Sequence, residues 1–323
     1  MNKQPVNVIF DMDTSGDCTN IGALATLHAL ADRGEVNILA TTVGFHSPYV
    51  AACADAVNLY YGRELPVGTL HSKDEPVEYR YFADRLCREV NTRFAEGDEA
   101  EDAVRVHRRA LAAAEDHSVV FEVTGLLSTA AALLASPADD LSPLTGRELI
   151  ERKITRTIVM AGLFADTYGD EPRCEYNVML DIPAMCTVCA DWPGELIFSA
   201  FEIGIRTPSL AAFVQTGDPE SPVRRAYELL REHLHTAPDI PFPSWDATVS
   251  LLAARPDAGY FDLHPYGRVV VGEDGITTWR EEAGARQSYL MPKADMPLEK
   301  IGEIITELVM ALPKDRRTGI LKK

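Results

Sequence analysis

Apolar and polar positions along the first two thirds of the chain switch repeatedly between a strand-like and a helix-like period. Val8 to Phe10 is a short apolar run ending in acid and reads as a buried strand, with Val6 in line to extend it. Ile21, Leu24, Leu27 and Leu30 follow at helical spacing, and Gly34 stands where a helix C-cap belongs. Val36 to Val43 predicts a second strand, Ala51 to Tyr61 a second helix, and Pro66 to Leu70 a third short strand. Between Glu75 and Ala114 the pattern turns charged and helical. Val119 to Val123 is again strand-like, with a helix around Ala130 to Leu134. Thr145 and Glu148 have the spacing of a capping box, so a helix starts there. Thr157 to Met160 and Leu196 to Phe201 complete the apolar strands. Such alternation predicts an α/β fold, a mostly parallel sheet flanked by helices.

The last third is less regular. Arg224 to His233 and Ala247 to Ala254 predict helices, and Pro297 to Leu312 a closing one. Arg268 to Val271 and Ile276 to Trp279, split by Gly-Glu-Asp-Gly, predict a small C-terminal hairpin. There is no repeat, low-complexity tract or linker, so residues 1–323 read as a single domain.

Composition agrees with a globular chain: 46% hydrophobic and 25% charged residues over 323 positions. Charge narrows the partners. Lys plus Arg number 31 against 49 Asp plus Glu, a balance of −18. That field repels nucleic acid and anionic lipid, and suits neutral or cationic small molecules or a metal ion; solubility alone also accounts for it. Six cysteines spread over this length do not make a disulfide scaffold. The first apolar run meets Asp11 too early for a signal peptide, and no run approaches the length of a membrane span, so a cytoplasmic location is expected.

In doubly wound sheets, ligands bind beyond the carboxyl ends of the strands. The first strand ends in Asp11-Met12-Asp13-Thr14-Ser15-Gly16-Asp17, three acids within seven residues. Crowded carboxylates repel unless a cation or a proton relieves them. A helix-capping acidic turn is the competing explanation. Glu175 and Asn177 lie in a segment that reads equally as a solvated loop. Asp246 precedes an apolar helix and, taken alone, reads as its N-cap.

These residues, taken in order, resemble the inosine-uridine type of nucleoside hydrolase. The resemblance runs from Val6 to about Leu312. It rests on the Asp11-x-Asp13 strand end, Ala40-Thr41-Thr42-Val43, Thr124-Gly125-Leu126-Leu127-Ser128, Val159-Met160-Ala161-Gly162, Glu175-Tyr176-Asn177, Asp181 with Pro183-Ala184, and Trp245-Asp246. It implies an N-glycosidase in which Asp13 activates water, and a Ca²⁺ ion held by Asp13, Asp246 and the Ser128 carbonyl. Glu175 and Asn177 would hold the sugar, with Asp11 and Asp17 as further substrate contacts. A nucleoside-like small molecule is the implied partner, and a homo-oligomer the implied assembly. The family's adjacent Asp-Asp pair, however, reads Thr19-Asn20 here. Asn20 would be a neutral metal ligand and Thr19 a sugar contact, so calcium would be bound weakly or not at all.

His46 follows the second strand and is a candidate pocket residue; Trp245, where the family has His, stacks on a base or fills the core. The Cys186/Cys189 pair lacks the second pair that zinc binding needs, and His233 and His235 read as solvated or dipole-capping residues at a helix end. Two other functions fit parts of the pattern. One is a catalytically silent homologue that binds or partners. The other is a phosphatase of the haloacid dehalogenase type, in which Asp11 of the Asp-x-Asp string would be the nucleophile.

Overall fold

The computed structural model describes residues 4–14, 17–74, 83–94, 100–164, 173–264 and 266–316. The strands are β1 Val6–Met12, β2 Val36–Val43, β3 Val67–Thr69, β4 Glu101–Asp102, β5 Val119–Val123, β6 Ile154–Met160, β7 Leu196–Ser199, β8 Pro208–Ser209, β9 Phe242–Pro243, β10 Phe261–Leu263, β11 Gly267–Val271, β12 Thr277–Glu281 and β13 Gln287–Pro292. The helices are α1 Thr19–Asp32, α2 Pro48–Tyr60, α3 Ala83–Glu89, α4 Ala103–Ala113, α5 Ser128–Ala135, α6 Gly146–Lys153, α7 Tyr176–Leu180, α8 Ile182–Asp191, α9 Phe201–Gly204, α10 Ala211–Thr216, α11 Pro222–Leu234, α12 Trp245–Ala254 and α13 Leu298–Met310.

Among the described residues, β13-β7-β6-β5-β1-β2-β3-β4 form one parallel run. The β11–β12 hairpin, with Val269 opposite Trp279, and β10 join β13 in antiparallel fashion. The alternation of β1 divides the core. Val8, Phe10 and Met12 pack with Leu24 and Leu27 of α1, Leu251 of α12 and Ile301 of α13. Ile9 faces the other way, with Leu133 of α5, Leu149 of α6 and Val188 of α8. Each such fully buried aliphatic side chain contributes roughly 1.5–3 kcal/mol of transfer free energy.

Two helices matter most for the site. Every residue of α1 from Thr19 to Leu30 is buried. It ends in a Schellman motif: Gly34 takes φ +75°, its N–H bonds the Ala31 carbonyl, and the Glu35 N–H bonds that of Leu30. Against it packs α12, buried at every residue from Asp246 to Ala254.

Several boundaries differ from the expectation. The run Leu196 to Phe201 is two elements, because Ala200 caps a short helix that Phe201 opens. Continuous apolarity reported burial there and not period. The charged region resolves into α3 and α4, and 75–82 and 95–99 lie outside the described residues. Strand β13 carried no apolar signal, since it opens with Gln287 and Ser288. Both are buried, and the Gln287 carboxamide accepts from the Val269 N–H and donates to the Cys189 carbonyl. None of the helices among the described residues is long and apolar enough to cross a membrane.

Candidate active site

The chain begins in β1, builds β2, β3 and β4 to one side, and returns to β5 on the other. Strand order reverses between β1 and β5, the point at which open α/β sheets bind ligands. A cavity of about 400 Å³ opens there. Asp13, Asp17, Thr19, Asn20, Glu175, Asn177, Trp245 and Asp246, all expected from the sequence, line it. They arrive from the β1–α1 turn, the start of α7 and the start of α12.

Asp11, His46 and Ser128 are not on its wall. Asp11 is 0% exposed, and its two oxygens accept from Thr42 Oγ1 at 2.6 Å and Thr129 Oγ1 at 2.5 Å. Thr42 Oγ1, its one hydrogen given to Asp11, lies 2.7 Å from His107 Nε2, so that nitrogen donates. Burial pushes the His107 imidazole down to about 3, which keeps it neutral, and pushes Asp11 up to about 7 against its two hydroxyl donors. A carboxyl enclosed in this way cannot attack a phosphoryl group, which removes the phosphatase reading. His46 packs on His71, ring centroids 4.9 Å apart, and its N–H bonds the Lys73 carbonyl. Ser128 opens α5 and donates to Asp181 Oδ2. Thr124, four residues earlier, lines the cavity instead.

The turn after β1 is held by Asn20. Thr14, a β-branched residue, takes φ +46°, a left-handed conformation that costs about 1 kcal/mol or more. Its N–H donates to Asn20 Oδ1 at 2.9 Å. Asn20 Nδ2 donates in turn to the Thr124 carbonyl at 3.0 Å and Thr124 Oγ1 at 3.1 Å. The carboxamide therefore stitches the β1 turn to the β5 turn. Gly125 lets the two turns approach: a Cβ there would stand 2.7 Å from the Asp13 Cβ and 2.9 Å from its Cγ.

Across the cavity, Thr19 Oγ1 lies 2.7 Å from Asp17 Oδ1 and 2.5 Å from Asp246 Oδ2. A hydroxyl has one hydrogen to donate, so the second contact requires a proton on one of the carboxyls. Burial, then the Asp17 charge, raise the Asp246 carboxyl well above the usual carboxylate range, and burial raises Asp17 itself. Asp13 is raised in the same way, by burial first and by Asp17 next.

Glu175 is a buried cap and not a solvated loop residue. It accepts from the backbone N–H groups of Asn177 at 3.0 Å, Gly162 at 3.2 Å and Val178 at 3.3 Å. Burial outweighs those donors and lifts it to about 7. Asn177, 6% exposed, directs its Nδ2 hydrogens at the carbonyls of Met160, at 3.0 Å, and Thr124, at 3.4 Å. Its oxygen is the end left to meet a ligand.

Sequence reasoning missed Thr124, Met160, Tyr176, Phe201, His233 and Leu234 on the wall. The first three stand inside the motifs that carry the resemblance. Phe201 sits 5.4 Å from Trp245, centroid to centroid, and its carbonyl accepts from Trp245 Nε1 at 3.1 Å. His233 and Leu234, at the exposed end of α11, reach the rim only through packing between distant elements. No local signal marks them.

Calcium takes 6–8 oxygen donors. Among the described residues, no group of three or more His, Cys, Asp or Glu is arranged to hold a metal ion. The carboxamide of Asn20 is committed at both ends, and its N–H groups point at Thr124. Thr19 bridges two of the acids by hydrogen bonds. Ser128 is outside the cavity. The residues present do not fit the ion that the resemblance implied.

No family model and no curated protein matches the chain in sequence. Solved structures do match it. An inosine-uridine preferring nucleoside hydrolase from Bacillus anthracis aligns with a TM-score of 0.68 and 17% identity over 94% of this chain and 99% of that one. A plant nucleoside hydrolase aligns at 0.71 and 16% identity over 95% and 99%. The type III effector XopQ, complexed with adenosine diphosphate ribose, aligns at 0.67 and 16% over 96% and 95%. With this sheet order and a cavity at the β1/β5 switch, the chain has the fold of the nucleoside hydrolases.

Proposed function

We propose that this protein is an N-glycosidase that cleaves the bond between sugar and base in a nucleoside or related ribosyl compound. One observation carries the reading: Asp13, Glu175, Asn177 and Asp246, distant in sequence, share one cavity of about 400 Å³, within the usual range for small-molecule sites.

Breaking an N-glycosidic bond builds oxocarbenium character on the sugar. Asp13 in its ionised form takes a proton from water as the water adds to C1′. Glu175 and Asp246, in their ionised forms, place negative charge beside the developing cation. The Asn177 oxygen accepts from a sugar hydroxyl, and the Trp245 and Phe201 faces take the base. Asp11 acts two residues before Asp13, as a support and not as a substrate contact. No step passes through a metal. The same reading has the protein working in the cytoplasm as a homo-oligomer, on a small molecule and not on nucleic acid or membrane.

The test is a panel of nucleosides incubated with wild type and Asp13→Asn. General-base loss costs about 10²–10⁴-fold in rate, so the variant retains at most about one hundredth of the activity. Equal cleavage by both proteins removes Asp13 from this role. Nucleoside binding by wild type without turnover would favour a silent homologue, the reading that the Thr19-Asn20 pair supports.

A further inference from the structure

The cavity collects the acids Asp13, Asp17, Glu175 and Asp246, and no Lys or Arg lines it among the described residues. Such a set calls for protons or a positive partner, and the Thr19 contacts account for one proton only. Asn20 and Thr19, where the family's acid pair would stand, are committed to hydrogen bonds and add no charged ligand for a divalent ion. Aromatic residues line the same cavity: Tyr176, Phe201 and Trp245. Phe201 already carries one cation, the Arg173 guanidinium, 4.9 Å from its ring centroid. Carboxylates and aromatic rings lining one cavity are the chemistry that recognises organic cations. The buried Asn177 oxygen, its amide hydrogens used elsewhere, adds a further acceptor and no donor.

We propose that the substrate supplies the missing charge: an N-glycoside whose base carries a fixed positive charge, of the pyridinium or N-alkylated purine class. This rests on the N-glycosidase reading and narrows it. The chemistry suits the residues. When the C1′–N bond of a pyridinium riboside breaks, its electron pair goes to the ring nitrogen, and the base leaves neutral with no proton delivered to it. The positive charge moves to the sugar. Water adds to C1′, and its proton goes to Asp13. A site for this reaction needs no leaving-group acid beside Asp246, and that neighbour is Trp245, whose Nε1–H is committed to the Phe201 carbonyl. An anionic diphosphate ligand, by contrast, meets four acids and no Lys or Arg among the described lining residues.

The experiment compares two ribosides of the same shape, nicotinamide riboside and its uncharged reduced dihydropyridine form, with inosine and uridine alongside. Binding to Asp13→Asn is measured by calorimetry, and turnover by wild type in EDTA. The cationic riboside is expected to bind at least about tenfold more tightly than the reduced one, within the range of a desolvated cation–π contact. It is also expected to turn over faster than inosine or uridine. Asp17→Asn should reduce the charge preference. Equal or tighter binding of the reduced form overturns the proposal. So does Ca²⁺-dependent cleavage of inosine or uridine that outpaces the cation, a result that leaves the N-glycosidase reading standing. Selective binding of the cation with no turnover of any compound supports the charge assignment and overturns the catalytic reading instead.

Discussion

Gly125→Ala is a sharp test of the site, because it adds one methyl group and targets one contact. The new Cβ would stand 2.7 Å from the Asp13 Cβ, 2.9 Å from its Cγ and 2.9 Å from its backbone nitrogen. Ordinary contact begins at 3.4 Å, so Asp13 or the β5 turn must give by about 0.5–0.7 Å. The turn has little freedom, since the Thr124 N–H bonds the Asp11 carbonyl at 2.8 Å and its own carbonyl receives Asn20. Overpacking of this kind costs about 1–3 kcal/mol of stability. Misplacing a catalytic group by about 1 Å costs about 10²-fold in rate. The expected result is a folded protein with a modestly lower urea midpoint and about one hundredth of the wild-type kcat/KM for its best nucleoside. Gly194→Ala is the control, because its Cβ would meet nothing closer than 3.5 Å. Unchanged turnover and an unchanged midpoint in Gly125→Ala would refute both the close approach and the role given to Asp13.

Asn20→Asp replaces the donor on Thr124 with a fourth carboxyl in the stretch that holds Asp13 and Asp17. It should destabilise the protein by about 1–3 kcal/mol without divalent ions, and added Ca²⁺ should raise its Tm while leaving wild type unmoved. Glu122 is buried, with one oxygen bonded to Ser250 Oγ and the other without a partner among the described residues. Burial lifts its carboxyl from 4.5 to about 8. The folded protein therefore holds a proton that the unfolded chain has lost, and this group's contribution falls as pH rises from 4.5 to about 8. Glu122→Gln should flatten the pH dependence of the denaturation midpoint in that window by a few kcal/mol at most, roughly 1.4 kcal/mol per unit; an unchanged slope would sink the assignment. Thr19→Val leaves Asp17 and Asp246 facing each other without the shared hydroxyl, and should lower stability more at pH 8 than at pH 5 in the same measurement.

By itself the sequence determined most of the frame. The periods of β1, β2, β5 and β6 were legible because a buried parallel strand must be apolar throughout, and the Thr145–Glu148 box and Gly34 marked helix ends by local hydrogen bonding alone. The acids at 13 and 17 stood out because carboxyls crowded at a strand end repel, whereas Glu175 and Asp246, which alone read as a solvated loop residue and an N-cap, were picked out only by the resemblance. Only the tertiary structure decided what each does. Asp11 and Asp13 are two residues apart, and strand alternation alone would aim them alike, yet β1 ends at Met12, so Asp11 stays in a cage of hydroxyls while Asp13 turns to the cavity. Ser128 gave way to Thr124 because the wall is made by the turn after β5, before the helix that Ser128 opens. Asn20 could be named as a substitution from the sequence, but its work as a clamp between Thr14 and Thr124 depends on a separation of 104 residues closing to 3.0 Å. A hydrogen bond reads distance in space, and the linear order of a chain carries that distance only where the partners are neighbours.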